Sequence, residues 1–531
     1  MSNQFEADFI VIGGGSAGCV VAGRLAQAGY GTILLEAGPA DTNPLIHIPA
    51  GVRYLLNNPK AAWLDSTEPN MQAGGRKLAW PHGRVLGGSG SINGMIFIRG
   101  AKADFDQWGQ AGNPGWDFEG VLPYFKSMET YRGRVGQHRG TSGPLPVEDR
   151  RFRLPITDRF VETAQAAGHA FHEDINVPEP EGVGYAQMNR FGRWRGSSAR
   201  AFLPLGRKSG KLRIITGAEA TGLIMDGRRC TGVRFMRDGT EQMAAARREV
   251  IVSSGAVGSP KLLQLSGIGP AAHLAGLGIG VVHDLPGVGR ELSDHYGIRC
   301  TVRLKNAASV NEKARFPGLA WEIAKFLTTG TGALVTGVTT AMLFCASREG
   351  LSGPDLQLLF TPASFDQNRF GALEQEPGAS ISVCLSRPKS RGTIMIRSAD
   401  WRQAPAIDAN YLSDRDDLDV LMRGFAIARR LFATRPLADY VAAETLPGPE
   451  VSSAALEQYV RDKGVTIYHP TGTCRMAPGG VVDPRLRVHG IGGLRIVDAS
   501  VMPNITSGNT NAATMMIGEK AAALLVEDAR S

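Results

Sequence analysis

The sequence predicts a mixed α/β protein, with a parallel sheet begun at the N-terminus and an antiparallel sheet built later in the chain. Three observations carry this. Residues 8–36 read as strand, glycine turn, helix and strand, the opening of a βαβ unit. Residues 356–397 hold strand-like segments at Leu356–Thr361, Ser380–Leu385 and Thr393–Arg397, the last two joined by the turn SRPKSRG. The length of 531 residues exceeds the roughly 250–300 at which one core usually divides.

Each element has a local reason. Asp8–Ile12 is an apolar strand, Gly13–Gly18 a glycine turn, Ala17–Ala28 a helix and Thr32–Glu36 a second strand. Residues 44–100 are turn-rich and apolar without a clear period, as in a stretch held by a ligand or a neighbouring domain. Leu418, Leu421, Phe425, Ala428 and Phe432 recur at helical spacing. Ser413 is expected to cap that helix, a run of Asp suits its positive end, and Arg429 and Arg430 occupy its last part. Leu494–Val497 reads as a short strand and Ala512–Glu527 as a closing helix. No low-complexity linker separates these units, so interleaved, discontinuous domains are expected.

Composition narrows the function classes. Hydrophobic content of 43% with 20% charged residues excludes a disordered chain. The net charge of +8 is scattered. The one basic run with interleaved aromatics, Arg190 to Arg195 with Phe191 and Trp194, is too short for a nucleic-acid surface. Six widely spaced cysteines without a CxxC pair point to reduced, mostly buried thiols, with no disulfide framework and no metal site. The N-terminus runs straight into a strand, and no segment reaches about 18 uninterrupted apolar residues. A cytoplasmic protein without an integral membrane segment is expected.

Gly13, Gly15 and Gly18 form a G-x-G-x-x-G between strand and helix, and Glu36 closes the second strand. The glycines let backbone approach a pyrophosphate at a helix N-terminus, and the carboxylate can accept ribose hydroxyls. The same turn spells G-x-S-x-G through Gly14, Ser16 and Gly18, the pattern of a hydrolase nucleophile elbow. An elbow serine normally follows several strands, whereas this one stands at residue 16. The glycine motif alone does not separate NAD from FAD.

Longer segments do. Residues 83–106 (GRVLGGSGSINGMIFIRGAKADFD) and 255–269 (GAVGSPKLLQLSGIG) resemble the two signatures of the glucose–methanol–choline (GMC) flavoprotein oxidoreductases. IYHPTGTCRM at 467–476, VVDPRLRVHG and LRIVDASVMPNITSGNTNAATMMIGEKAA resemble that family's C-terminal block, so the likeness spans residue 8 to about 525. PLIHIPAG, RPKSRGTIMIRSAD and LPGVG at 285–289 resemble the bacterial branch containing choline and L-sorbose dehydrogenases. Glu291 departs from the Asn that relatives usually carry.

The resemblance implies a Rossmann-like FAD-binding domain from residues 1–150, 200–300 and 470–531. It implies a substrate domain on an antiparallel sheet from 151–199 and 301–469. Gly13, Gly15, Ser16, Ala17 and Gly18, with Glu36 and Ala37, are expected at the dinucleotide, and Ala220 near the adenine. Val85, Gly88, Ser89, Asn93, Gly94 and Ile96 are expected on the flavin side. Asp498 and Ala499 would return to the pyrophosphate, with Ala512 completing the contacts. Some relatives hold FAD covalently through a His immediately before the Asn of the flavin loop; Ile92 stands there, which implies non-covalent FAD.

His469 and Asn511 match the family's catalytic pair. The implied reaction is oxidation of a primary or secondary alcohol, of polyol, sugar or amino-alcohol type, by hydride transfer to flavin N5 with His469 as general base. Free histidine titrates near pH 6.5, so much of it is neutral at pH 7. Asn511 offers a donor and an acceptor at the start of the last helix, where partial positive charge gathers. The electron acceptor is expected to be quinone-like, with oxygen as the other choice. A non-redox lyase of the same family type and a flavin-free serine hydrolase are the alternatives. Cys474 reads as a buried thiol, His489 as structural, and FTPASFDQNRF at 360–370 as a pocket segment.

Overall fold

The computed structural model describes residues 5–149, 152–337, 339–366, 371–449 and 451–530. Seven strands form its first sheet. β1 (Phe5–Ile12) lies between β2 (Thr32–Glu36) and β6 (Thr240–Val252). β3 (Leu212–Thr216) extends the β2 edge, and β5 (Arg229–Arg237) and β4 (Glu219–Asp226) follow beyond β6. A short strand, Leu494–Ile496, also pairs with β6. β1, β2, β3, β6 and Leu494–Ile496 run parallel, while β4 and β5 are antiparallel. All five residues of β2 are buried, its apolar run Ile33–Leu35 among them, as in a strand covered on both faces.

The first turn shows why glycine is needed. Gly13 adopts φ +100°, and a Cβ on Gly18 would fall 1.9 Å from the Gly13 carbonyl oxygen. That contact starts α1 (Ser16–Gln27) directly against the end of β1. α2 (Ser198–Lys208) and the C-terminal helix Asn511–Arg530 pack on α1, and Arg24 pairs with Glu519 at 2.7 Å across the latter contact. Ile10, Val11, Val21, Leu34, Trp108, Ile251 and Met516 belong to one continuous core beneath this sheet.

The second sheet is antiparallel. Its order is β11 (Val441–Leu446), β7 (Tyr296–Leu304), β10 (Gly378–Leu385), β9 (Leu356–Thr361), β8 (Ala341–Cys345) and an edge strand, Gly182–Tyr185. Val465–Thr466 pairs beside the start of β7. α3 (Arg415–Ala433) lies on this sheet, burying Leu418, Leu421, Phe425, Ala428 and Phe432. With Ile298, Leu343, Leu358 and Ile381 they form a second core.

Two local expectations change. Thr393–Met395 pairs with Ala406–Asp408 rather than continuing a hairpin with β10. Asp417 of α3 explains this: its carboxylate accepts from the Lys389 and Ser390 amides at 2.8 and 2.9 Å and draws the intervening turn onto the helix. Asp414, not Ser413, caps α3 by accepting from the Asp416 amide. The basic run is no surface stripe, because Arg190 and Arg195 are buried. All six cysteines are free and buried. No helix among the described residues is long and apolar enough to cross a membrane. Residues 367–370 of the expected pocket segment lie outside the described residues.

Candidate active site

The carboxyl ends of β1, β2, β6 and Leu494–Ile496 share one rim of the first sheet. This is where an open parallel sheet gathers ligands. Glu36 is buried there and accepts from the Gly14 amide (2.8 Å) and the Gly38 amide (2.8 Å). Burial raises its carboxyl to about 7, with the two amides and then Arg84 opposing the shift. Gly15 gives α1 no side-chain cap, so the first-turn amides suit an anion. Ser16 and Ala17 begin that turn. The Ala218 amide donates to the Glu36 carbonyl (2.9 Å), bringing the start of β4, with Ala220, beside Glu36 and Ala37.

The second glycine loop docks on the first. The Gly87 amide donates to the Gly14 carbonyl (2.7 Å). Gly88 has φ +54°, and a Cβ on it would lie 2.7 Å from Gly15 Cα. Only two bare backbones can approach this way, and the result is a cradle for a dinucleotide. Ser89 Oγ accepts from the Gly83 amide (3.0 Å). Asn93 is held through its carbonyl and its Oδ1, both accepting from Arg195 Nη1 at 2.8 Å. Gly94 follows Asn93 and backs onto Gly337. Burial lowers the Arg195 guanidinium to about 9. Val85 and Ile92 are packed in one apolar cluster with Ile46 and Leu55, and Ile96 leans on another with Ile98 and Met342.

Asp498 is buried, and its carboxylate accepts from the Gly255 and Ser500 amides (2.9 and 2.8 Å) and from Ser259 Oγ (2.5 Å). It thereby secures the start of the helix Gly255–Leu265 at the same rim. The Ala499 carbonyl accepts from the Gly472 amide (3.3 Å), and Ala512 is buried in the C-terminal helix.

His469 is placed by a ladder to the segment before β7. Ser293 and Thr471 exchange amide bonds (3.0 and 2.9 Å), and the Ile467 amide donates to the His295 carbonyl (2.9 Å). The His469 amide donates to Asp294 Oδ1 (2.7 Å). Asp294 Oδ2 accepts from Thr466 Oγ1 (2.6 Å) and from the Tyr411 hydroxyl. Burial raises the Asp294 carboxyl to about 6 against these hydrogen bonds. Tyr468 adopts φ +64°, a left-handed conformation that the flanking bonds sustain.

The His469 ring is half-buried. Its Nδ1 lies 2.9 Å from His295 Nδ1, and its Nε2 lies 3.1 Å from Asn509 Nδ2. Burial first, and His295 second, hold its pKa well below the ordinary histidine value. His295 is buried, which lowers it to about 4.

The structure does not bring the His469 and Asn511 side chains together: Asn509 faces the imidazole. Asn511 Oδ1 accepts from Ser16 Oγ (2.7 Å) at the first glycine turn. Asn511 is the first residue of the C-terminal helix and Asn509 lies two residues before it, so the two side chains serve opposite ends of the site. Ser16 therefore donates to an amide and not to a histidine, which removes the basis of the nucleophile-elbow reading. Cys474 is buried and its thiol is pushed well above the ordinary value. His489 Nε2 lies 3.1 Å from the Ala477 carbonyl, a structural contact. Asp294, His295, Gln357 and Asn509 were not singled out from the sequence, and only the Asp–His doublet just before a strand hinted at the first two.

A parallel sheet with two interlocked glycine loops, and a neutral histidine facing an amide beside it, define a dinucleotide-dependent oxidoreductase. Residues 7–297 and 388–518 match the two parts of the GMC oxidoreductase family. An alcohol dehydrogenase [acceptor] of Pseudomonas putida is 40% identical over 98% of this chain and 95% of its own length. An oxygen-dependent choline dehydrogenase of Brucella ovis is 39% identical over 97% and 95%. The formate oxidase of Aspergillus oryzae RIB40 superposes with a TM-score of 0.93 at 28% identity, covering both chains fully. Pyridoxine 4-oxidase from Mesorbium loti gives 0.88 at 28%, over 97% and 98%. The chain belongs to the GMC oxidoreductase family, and FAD-dependent alcohol oxidation is its activity; the lyase and hydrolase alternatives have no support.

Proposed function

We propose that the chain oxidises a primary or secondary alcohol of polyol, sugar or amino-alcohol type, with His469 taking the hydroxyl proton and Asn509 orienting the oxygen. The observation that carries this is the 3.1 Å approach of Asn509 Nδ2 to His469 Nε2, which puts a proton acceptor and a donor on one spot. Bound FAD supplies the hydride acceptor. The alcohol then loses a hydride from carbon and a proton from oxygen, leaving a carbonyl. Asn509 Oδ1 receives a long 3.5 Å contact from Gln357 Nε2, which keeps its amide N–H turned toward His469.

The remaining assignments rest on the same frame. Glu36 and the first turn of α1 hold the adenosine and pyrophosphate half of FAD, and the loop around Asn93 holds the flavin half. Asn511 and Ser16 brace the junction between the two. Ile92, buried among alkyl side chains, offers no atom for a histidyl link, so FAD is non-covalent; acid-precipitated enzyme should release its yellow colour, and colour kept in the pellet would contradict this. We assign residues 1–150, 200–300 and 470–531 to the FAD-binding domain and 151–199 with 301–469 to the substrate domain, while the first half of β7, with Tyr296 and Ile298, packs in the second core. Six buried thiols support a cytoplasmic setting.

The electron acceptor is a quinone-like carrier. Peroxide production in air as fast as dye reduction would overturn that. The base assignment is tested with His469→Ala: flavin should remain bound, while anaerobic bleaching by an alcohol from a substrate panel slows about 10²–10⁴-fold. Reduction within about threefold of wild type would rule His469 out.

A further inference from the structure

We propose that His295 is a positioning residue: it accepts a hydrogen bond from His469 Nδ1–H and so fixes the tautomer that leaves His469 Nε2 bare. The reading rests on His469 as the base, and it adds what makes that nitrogen available.

Protons along one chain of contacts fix the tautomer. His295 Nε2 lies 3.1 Å from the Ser386 carbonyl. A carbonyl has no proton to give, so His295 Nε2 carries the hydrogen. A neutral imidazole has one N–H, and His295 Nδ1 is then a lone pair. That lone pair faces His469 Nδ1 at 2.9 Å, so His469 Nδ1 carries the hydrogen and donates. His469 Nε2 is left as an acceptor, and there it meets the Asn509 amide N–H at 3.1 Å. All three contacts are satisfied by this one assignment. The reverse direction sets a bare His295 Nε2 against the Ser386 oxygen and His469 Nε2–H against the Asn509 donor.

The surroundings keep both rings neutral. His295 is 1% exposed, and a second proton there would be a buried cation facing His469. Asp294 is the neighbouring carboxylate, yet its oxygens are taken by the His469 amide, Thr466 and Tyr411. It therefore holds the His469 backbone and leaves the ring proton to His295. The Ser386 and Thr506 carbonyls favour a further proton on His295, and burial outweighs both. The rings meet edge to face, 89° between planes, the geometry of an in-plane N–H aimed at an in-plane lone pair. Second-layer partners of this kind set the tautomer of functional histidines elsewhere.

The test is direct. Nitrogen NMR of histidine-labelled holoenzyme, with His469→Gln and His295→Gln spectra to assign the signals, should show His469 protonated at Nδ1 and bare at Nε2. His295 should show the opposite pattern. A proton on His469 Nε2, or a mixture of tautomers, would overturn the proposal whatever the rates are. His295→Leu should keep FAD and KM within about threefold while anaerobic flavin reduction falls about 10–100-fold, the usual scale for such partners. His295→Gln, which can donate to Ser386 and accept from His469 Nδ1, should recover most of the rate. A folded, FAD-loaded His295→Leu that reduces at the wild-type rate would also overturn it. Loss of activity in His469→Ala speaks to the base alone, so the two ideas fail separately.

Discussion

Replacing Asn509 and Asn511 in turn by Ala separates the two asparagines by step. Asn509 Nδ2 reaches the nitrogen that takes the proton, so its loss removes one hydrogen bond from an oxygen acquiring charge. Such bonds contribute about 1.5–3 kcal/mol, and at 1.36 kcal/mol per decade this is roughly 10–150-fold in the rate of flavin reduction. Asn511 Oδ1 instead accepts from Ser16 at 2.7 Å, so Asn511→Ala loses a neutral bond of about 1 kcal/mol, felt as weaker FAD retention and lower Tm. With FAD saturating, Asn511→Ala should reduce within about threefold of wild type. Anaerobic stopped-flow mixing with alcohol, after measuring flavin content, reads both variants in one experiment. A larger reduction defect for Asn511→Ala than for Asn509→Ala at full flavin occupancy would refute the placement of the catalytic amide.

Four further outcomes are expected. Glu36→Gln should weaken FAD binding by at least tenfold in a fluorescence titration, because a carboxylate accepting from ribose hydroxyls is exchanged for a neutral amide. In the apoprotein the raised Glu36 carboxyl favours the fold at low pH and loses that contribution as pH rises through about 7; the melting temperature of Glu36→Gln should therefore gain on wild type between pH 5 and 8. Because His469 is held well below pH 6.5, the acid limb of flavin reduction should lie under that pH, and an acid limb above pH 7 would contradict the burial argument. Glu291 adopts φ +62°, where Asn is better tolerated than Glu; Glu291→Asn should leave turnover unchanged and shift unfolding by no more than about 1 kcal/mol, the gain in backbone ease being offset by its 3.7 and 4.0 Å contacts with Arg475 and Arg391.

The parts legible from sequence are those whose cause is local. G-x-G-x-x-G between β1 and α1 is read correctly because the steric demand at Gly13 and Gly18 is met within six residues. The face of α3 is read correctly because the 3.6-residue period needs no partner. The cap of α3 shifts by one residue because Ser413 and Asp414 are both good caps and the surrounding fold chooses. The Thr393 strand changes partner because Asp417, some twenty-five residues on, captures the intervening turn. The neighbours of His469 are hidden for the same kind of reason. Asn509 and Asn511 are two positions apart and chemically identical, and only the direction of the chain before the C-terminal helix decides which one meets His469. His295 is 174 residues from His469, and nothing in the periodicity of either segment announces that they touch.

Burial of the histidine pair also limits the order of events. An alcohol ionises about as reluctantly as water, near pKa 15.7, while His469 sits below 6.5. A full proton transfer ahead of hydride loss would be uphill by at least nine pKa units, about 12 kcal/mol at 1.36 per unit. Turnover near 10 s⁻¹ allows a total barrier of only about 16 kcal/mol, which leaves some 4 for moving the hydride. The imidazolium formed would also be a cation next to a buried second ring that cannot share its charge cheaply. The first penalty falls if the hydride leaves carbon while the proton leaves oxygen, because no separated alkoxide then has to exist. Deuterium on the substrate carbon and D₂O as solvent should consequently slow the same anaerobic reduction step, and the two effects should persist together. A substrate effect without a solvent effect would place proton removal in an earlier equilibrium, and His469 would then have to be a far stronger base than its burial permits.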